Sequence, residues 1–247
     1  MKIEISVIIP FYKNFILLRR ALNSVFYQSF KNYEIIVIYD NQNKNDLLNL
    51  KRLIKGKKNI QIILNKKNIG AGLSRNKGIK LAKGKYICFL DSDDTWKKQK
   101  LKFQLNFMKK NNFAASHTSY DIIDLKNNFI KKRVARDICY NDLLNSCDIG
   151  LSTVMLKKKI LKYGNKFPNL KTKEDFVLWL KISKKGYIFY GVKKTFTKWT
   201  NNPNSLSKST FQKIIDAYRV YNKYEGYNLF NSLIRVLILS VNFLKKR

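Results

Sequence analysis

The chain has 247 residues, 45% of them hydrophobic, with 50 lysines and arginines against 16 acidic residues and a formal net charge of +34. That length and apolar share support a substantial core in one large domain or two small ones. The lysines are spread over every segment without an RGG-like tract, zinc knuckle or recognition-helix pattern, which argues against nucleic acid and points the charge at anionic lipid headgroups or phosphorylated substrates.

The first half alternates strand and helix signals. "EISVIIP" is a short β-branched strand closed by Pro10 rather than a signal peptide, and Leu18, Ala21, Leu22 and Val25 then recur at helical spacing. "YEIIVIY" is a second buried strand, "DLLNLKRLI" a helix, and "IQIIL" a third strand. "GAGLSRNKGIKLAKG" reads as a helix stopped by Gly84, and "KYICFLD" as the strand after it. Strands alternating with helices imply an α/β fold, with a mostly parallel central sheet covered by helices on both faces.

The second half changes character. "YDIIDLKNNFIKKRV" predicts a hairpin turning at Asn127 and Asn128, "IGLSTVMLKK" a strand, and "EDFVLWLKISKKG" an amphipathic helix ending near Gly186. From about Asn201 the chain is polar, then helical. Residues 1–200 read as one domain in two lobes, 1–115 and 116–200, with 201–247 as a loop and an amphipathic helical tail. No uncharged stretch is long enough for a membrane-spanning helix. Cys88, Cys139 and Cys147 are odd in number and lack CxxC spacing, as expected of reduced thiols in a cytoplasmic protein.

"FLDSDDTW" places Asp91, Asp93 and Asp94 within four positions of a strongly basic chain. Such a cluster needs a positive partner. A solvated turn paired with Lys97, Lys98 or Lys100 is one solution. The other is Mn²⁺ or Mg²⁺, which takes one or two carboxylates and fills its shell from phosphate and water. Ligands of open α/β sheets bind beyond the carboxyl ends of the strands, where this cluster and Asp40 both fall.

"SVIIPFYKN", "EIIVIYDNQ", "NIGAGLSRNKGIKLAKGKYICFLDSDDTW" and "KEDFVLWLK", in that order and spacing, resemble the inverting family 2 glycosyltransferases of GT-A fold, over residues 3 to about 186. The resemblance implies a Rossmann-like GT-A fold and a nucleotide-sugar donor, UDP-linked by family default. It also implies a glycan or lipid-linked acceptor in surface polysaccharide synthesis. Pro10 and Tyr12 match positions flanking the base, and Tyr12 is either a stacking platform or a core-edge aromatic. Asp40 matches an acid that accepts a hydrogen bond from the base. Arg75 either reaches the nucleotide or forms a structural ion pair. Asp91 and Ser92 match donor contacts, Asp91 and Asp93 the metal pair, and Asp94 a supporting acid. Asp175 matches the general base, although Thr172-x-x-Asp175 also has capping-box spacing. The sequence departs from the family pattern at Tyr39, Asn41 and Gln42. "NNPNSLSKS" resembles a loop that closes over the diphosphate, without its usual preceding histidine and arginine. His117, the only histidine, has no metal-ligand spacing around it.

Two other functions compete. A sugar nucleotidyltransferase would carry a glycine-rich loop after the first strand, and "PFYKNFILL" has no glycine. A basic nucleic-acid-binding module would use the charge alone. The tail "LFNSLIRVLILSVNFLKKR" predicts a helix that either lies on an anionic membrane, on the cytoplasmic face of the inner membrane, or packs against protein.

Overall fold

The structure, a computed structural model, describes residues 2–162, 164–203 and 209–245. The segment 204–208 of the "NNPNSLSKS" loop and the final Lys246 and Arg247 lie outside the described residues. β1 (Ile5–Phe11), β2 (Tyr33–Tyr39), β3 (Ile60–Leu64) and β4 (Tyr86–Phe89) alternate with α1 (Phe15–Phe26), α2 (Lys44–Ile54) and α3 (Ala71–Leu81). There follow β5 (Thr95–Trp96), α4 (Lys100–Lys110), β6 (Ala115–Ile123), β7 (Phe129–Arg133), α5 (Tyr140–Asn145), β8 (Met155–Lys157), α6 (Glu174–Lys184) and β9 (Phe189–Thr200). α7 (Thr210–Arg219), a π-helical turn at Val220–Tyr224 and α8 (Leu229–Leu244) close the chain.

One nine-stranded sheet runs in the order β3-β2-β1-β4-β8-β6-β9-β5, with β7 paired to β6. β3, β2, β1 and β4 are parallel. β8 reverses direction against β4, and from there the sheet is mixed. β1 and β2 are buried along their whole length, so they read as continuous apolar runs rather than as alternation. Neighbouring residues nevertheless face opposite sides. Ile8, Ile36, Ile38, Ile87 and Phe89 join one core cluster, and Val7, Ile9, Ile35, Val37, Cys88 and Leu90 join the other. α5, α6, α7 and α8 contribute to the first cluster, and α1, α2 and α4 to the second. Helices therefore cover both faces, as the alternating pattern predicts.

Glycine sets how closely α3 lies on β1. A Cβ at Gly78 would stand 2.5 Å from Cγ2 of Ile8, so the helix sits nearer the strand than any side chain allows. The predicted hairpin forms as β6–β7, with Asn127 at φ 71° and the Asp124 carboxylate accepting from the backbone N–H of Asn128. "IGLSTVMLKK" is not one strand. Leu151–Thr153 forms a 3-10 turn, and only Met155–Lys157 pairs, because Thr153 and Val154 turn back onto Gly150 and Leu151. α8 docks on α5 and α7, burying Ser232, Val236 and Leu239, so the tail packs into the first core cluster on one side.

Candidate active site

The carboxyl ends of β2, β1 and β4 open on one side of the sheet, and the acidic residues gather there. Asp91 to Asp94 form a tight turn, closed by the Asp94 N–H donating to the Asp91 carbonyl at 3.0 Å, with Ser92 and Asp93 at its crown. Its three carboxylates meet different fates. Asp94 is fully buried, its oxygens accepting from the Ser152 hydroxyl at 2.6 Å and the Thr200 N–H at 2.9 Å, and burial raises its pKa well above the usual range. Asp91 accepts from the Arg75 guanidinium at 2.7 Å. Asp93 has no ion pair among the described residues. Asn202 approaches it at 3.5 Å, and burial followed by repulsion from Asp91 pushes its pKa up to about 6.

The lysines that follow the cluster face elsewhere. Lys97 pairs with Asp121, and Lys100 is buried over the Trp96 ring with its ammonium near the Val154 carbonyl. A solvated turn neutralised by its own lysines is thus not what forms. Two neighbouring carboxylates with only oxygen donors, one of them lacking a cation, are a set that suits a hard divalent ion. Among the described residues no third His, Cys, Asp or Glu joins them.

Arg75, on α3, is 3% exposed. One arm reaches Asp91 and the other Glu174, both at 2.7 Å, with the guanidinium over the Phe167 ring. Burial opposes its charge, and the two carboxylates outweigh that and raise its pKa. Arg75 is therefore an ion-pair bridge, the second of the two roles expected of it.

Asp175 lies in the first turn of α6, half-buried, with Oδ1 accepting from the Phe176 N–H at 2.8 Å. Burial, then the neighbouring Glu174, push its pKa up to about 7. The capping box with Thr172 does not form. Lys173 occupies the N-cap position in a left-handed conformation, φ 62°, while the Thr172 N–H and hydroxyl both donate to Asp216 of α7 at 3.0 Å. Among the described residues Asp175 is thus left with a local bond only, through Oδ1.

On the nucleotide side the expectations divide. Tyr12 is 45% exposed just beyond β1, with Lys13 beside its ring, so it is no core-edge aromatic. Pro10 is buried within β1 opposite Ile38, one residue before the strand ends at Phe11. Asp40 is 2% exposed. Its oxygens accept from Asn65 Nδ2, the Ile69 N–H and the Gly70 N–H, at 2.9–3.2 Å. These three donors fill most of the about four acceptor positions of a carboxylate, so Asp40 fixes the 65–70 loop. His117 is buried with Nε2 against the Arg136 carbonyl, a structural histidine as expected. Glu174, Ser152, Thr200 and Asn202 are the site residues that sequence reading missed. Glu174 had a signal as the first acid of "KED", and Asn202 as part of "NNPNSLSKS".

Residues 6–169 match the family described as Glycosyl transferase family 2. TuaG of Bacillus subtilis, named for teichuronic acid biosynthesis, is 30% identical over 246 residues, 98% of this chain and 97% of that protein. The Escherichia coli UDP-Glc:alpha-D-GlcNAc-diphosphoundecaprenol beta-1,3-glucosyltransferase WfgD is 34% identical over 85% of this chain and 82% of its own. TarS of S. aureus (residues 1–349), solved with UDP-GlcNAc, superposes with a TM-score of 0.73 at 21% identity, over 90% of this chain and 65% of that one. Some relatives are longer. A Rickettsia felis glycosyltransferase, 39% identical, is matched over 32% of its length. These likenesses displace the nucleotidyltransferase and nucleic-acid readings, and the chain belongs to glycosyl transferase family 2, with the GT-A fold.

Proposed function

We propose that the chain transfers a sugar from a UDP-sugar to a hydroxyl of a lipid-linked glycan with inversion, in the synthesis of a surface polysaccharide. The observation that carries this reading is the Arg75 bridge. It holds the acidic turn and the start of α6 together, so a donor diphosphate and an acceptor hydroxyl can lie side by side. WfgD is named for UDP-glucose and a diphosphoundecaprenol-linked acceptor, and TarS was solved with UDP-GlcNAc, which supports this donor and acceptor class.

In this mechanism the exposed Tyr12 ring takes one face of the base, and the backbone of the 65–70 loop, held by Asp40, walls its edge. Ser92 and Asp93 face the diphosphate from the crown of the turn. Asp91 and Asp93 would hold Mn²⁺ or Mg²⁺, whose chemistry is to balance negative charge on the departing diphosphate. Asp175 accepts the proton of the acceptor hydroxyl as that oxygen bonds to the anomeric carbon. The bond from that carbon to the diphosphate breaks on the opposite face, and UDP leaves. A base with a pKa near 7 suits this step, being ionised in neutral solution yet a usable proton acceptor.

The test is incubation with a panel of nucleotide sugars, Mn²⁺ and a diphosphate-lipid-linked N-acetylhexosamine, with product stereochemistry read by NMR. Transfer from a UDP-sugar with inverted anomeric configuration, lost in Asp175→Asn, is expected. Retention of configuration, or full transfer by that variant, would overturn the reading.

A further inference from the structure

α8 has its polarity the wrong way round for a surface helix. Its longest polar side chains turn toward the protein: Arg235 donates to the Asn145 side chain at 3.0 Å, and Asn242 to the Asn145 carbonyl at 2.9 Å, while Asn231 and Ser240 are exposed. Ser232, Val236 and Leu239 complete that packed side. The opposite side carries Leu229, Phe230, Leu233, Leu237, Val241 and Leu244, each 44–68% exposed. These recur at helical spacing and form an apolar band broken only by the hydroxyl of Ser240, which donates back to the Val236 carbonyl. Scattered exposed leucines are ordinary, whereas a contiguous apolar stripe marks a binding surface. α7, packed beside α8, adds Phe211 and Ile214, also exposed.

We propose that the outer faces of α7 and α8 dock in the interface of an anionic lipid bilayer, with α8 lying in its plane. Charge selects the occupant. A second copy of a chain with a net charge of +34 would be repelled, whereas an anionic bilayer surface offers negative headgroups over an apolar layer. α8 contains no acidic residue, Lys245 follows it, and the sequence continues with Lys246 and Arg247. Length fixes the orientation. Sixteen residues extend about 24 Å, short of a hydrocarbon core about 30 Å thick, and among the described residues no helix is long and apolar enough to span.

The docking face is also tied to the catalytic cleft. Asp216 of α7 accepts from both the N–H and the hydroxyl of Thr172, three positions before Asp175. A bilayer under α7 and α8 would therefore hold the start of α6 at a fixed height above the lipid. The inference does not rest on the transferase reading, because the exposed band and the charge stand whatever the cleft does.

The test is sedimentation of the full chain with vesicles of phosphatidylcholine alone and of phosphatidylcholine with phosphatidylglycerol. The comparison is the double variant Leu233→Glu/Leu237→Glu, which alters only the outer band. Wild type should sediment with the anionic vesicles. The variant should bind about tenfold to a hundredfold more weakly, with unchanged thermal midpoint and unchanged mass by light scattering. Wild type left in the supernatant would overturn the proposal, as would variant binding equal to wild type, which would assign adhesion to surface lysines alone. A wild-type oligomer that the variant dissolves, with vesicle binding unaltered, would assign the face to a second copy and overturn it as well.

Discussion

Arg75 and Glu174 meet at 2.7 Å although 99 positions separate them in the chain. With the other arm on Asp91, this one buried cation ties α3, the acidic turn and α6 together. Removing one partner of a buried ionic group costs about 3–5 kcal/mol, since the charges left behind are uncompensated. Arg75→Ala should therefore lower stability in denaturant by that order. Arg75→Lys keeps the charge without the fork, and should fold while losing both donor affinity and turnover. Full activity in the lysine variant would show that charge alone suffices.

Of the two carboxylates assigned to the metal, Asp91 is paired with Arg75 and Asp93 has no ionic partner among the described residues, so Asp93 should be the one that answers to metal. In calorimetry, wild type should bind UDP more tightly with Mn²⁺ than with chelator, and Asp93→Asn should erase that difference. Removal of metal from wild type should reproduce the variant. Equal Mn²⁺ enhancement in both proteins would take Asp93 out of the metal shell.

Asp175 makes opposite demands on rate and stability. Its pKa lies near 7 in the fold against an ordinary value of 3.8, so the folded chain holds this proton more tightly than the unfolded chain does. The stability it contributes is complete below about pH 4 and is lost as pH rises to about 7. Activity runs the other way, since only the ionised form accepts a proton: transfer should climb with pH and level off above about 7. Asp175→Asn should lose about 10²–10⁴-fold in kcat and bind donor normally. At pH 8 it should also be more stable, by on the order of 1 kcal/mol. Loss of stability together with near-normal kcat would reduce Asp175 to a helix-terminal acid.

Tyr12 is exposed enough that its replacement should leave the fold alone. Stacking of a base on an aromatic ring is worth about 1–3 kcal/mol. Tyr12→Ala should raise KM for the donor about tenfold or more at unchanged thermal midpoint, and Tyr12→Phe should restore it. Equal KM in all three proteins would place the base elsewhere.

The strands β1, β2 and β4 were legible because they are covered on both faces and so spell themselves as apolar runs, with Asp40 and Asp91 just beyond β2 and β4. "FLDSDDTW" was legible as a cluster needing a cation, but not how its three acids divide the task. That division depends on Ser152, Thr200 and Arg75, which arrive from distant segments. Thr172 looked like a cap because spacing is local, whereas its partner Asp216 lies 44 positions downstream. Asp40 kept its place at the end of β2, yet Asn65, Ile69 and Gly70 claimed its oxygens. α8 was legible as a helix. Which side of it faced the protein was not, because Asn145, which turns Arg235 and Asn242 inward, is on α5.

Gly78 stands one helical turn beyond Arg75 on α3, and residues three apart share a face. The depth at which α3 rests on Ile8 consequently sets how far the guanidinium can extend over the cleft. A methyl at position 78 would act as a shim. It would lift the helix from the strand and draw the fork back from Asp91 and Glu174, although it touches neither. Damage to this packing contact would register first as a blunted enzyme with its secondary structure intact, so a screen for lost transfer would recover Gly78 among polar residues while a screen for lost folding would pass it by.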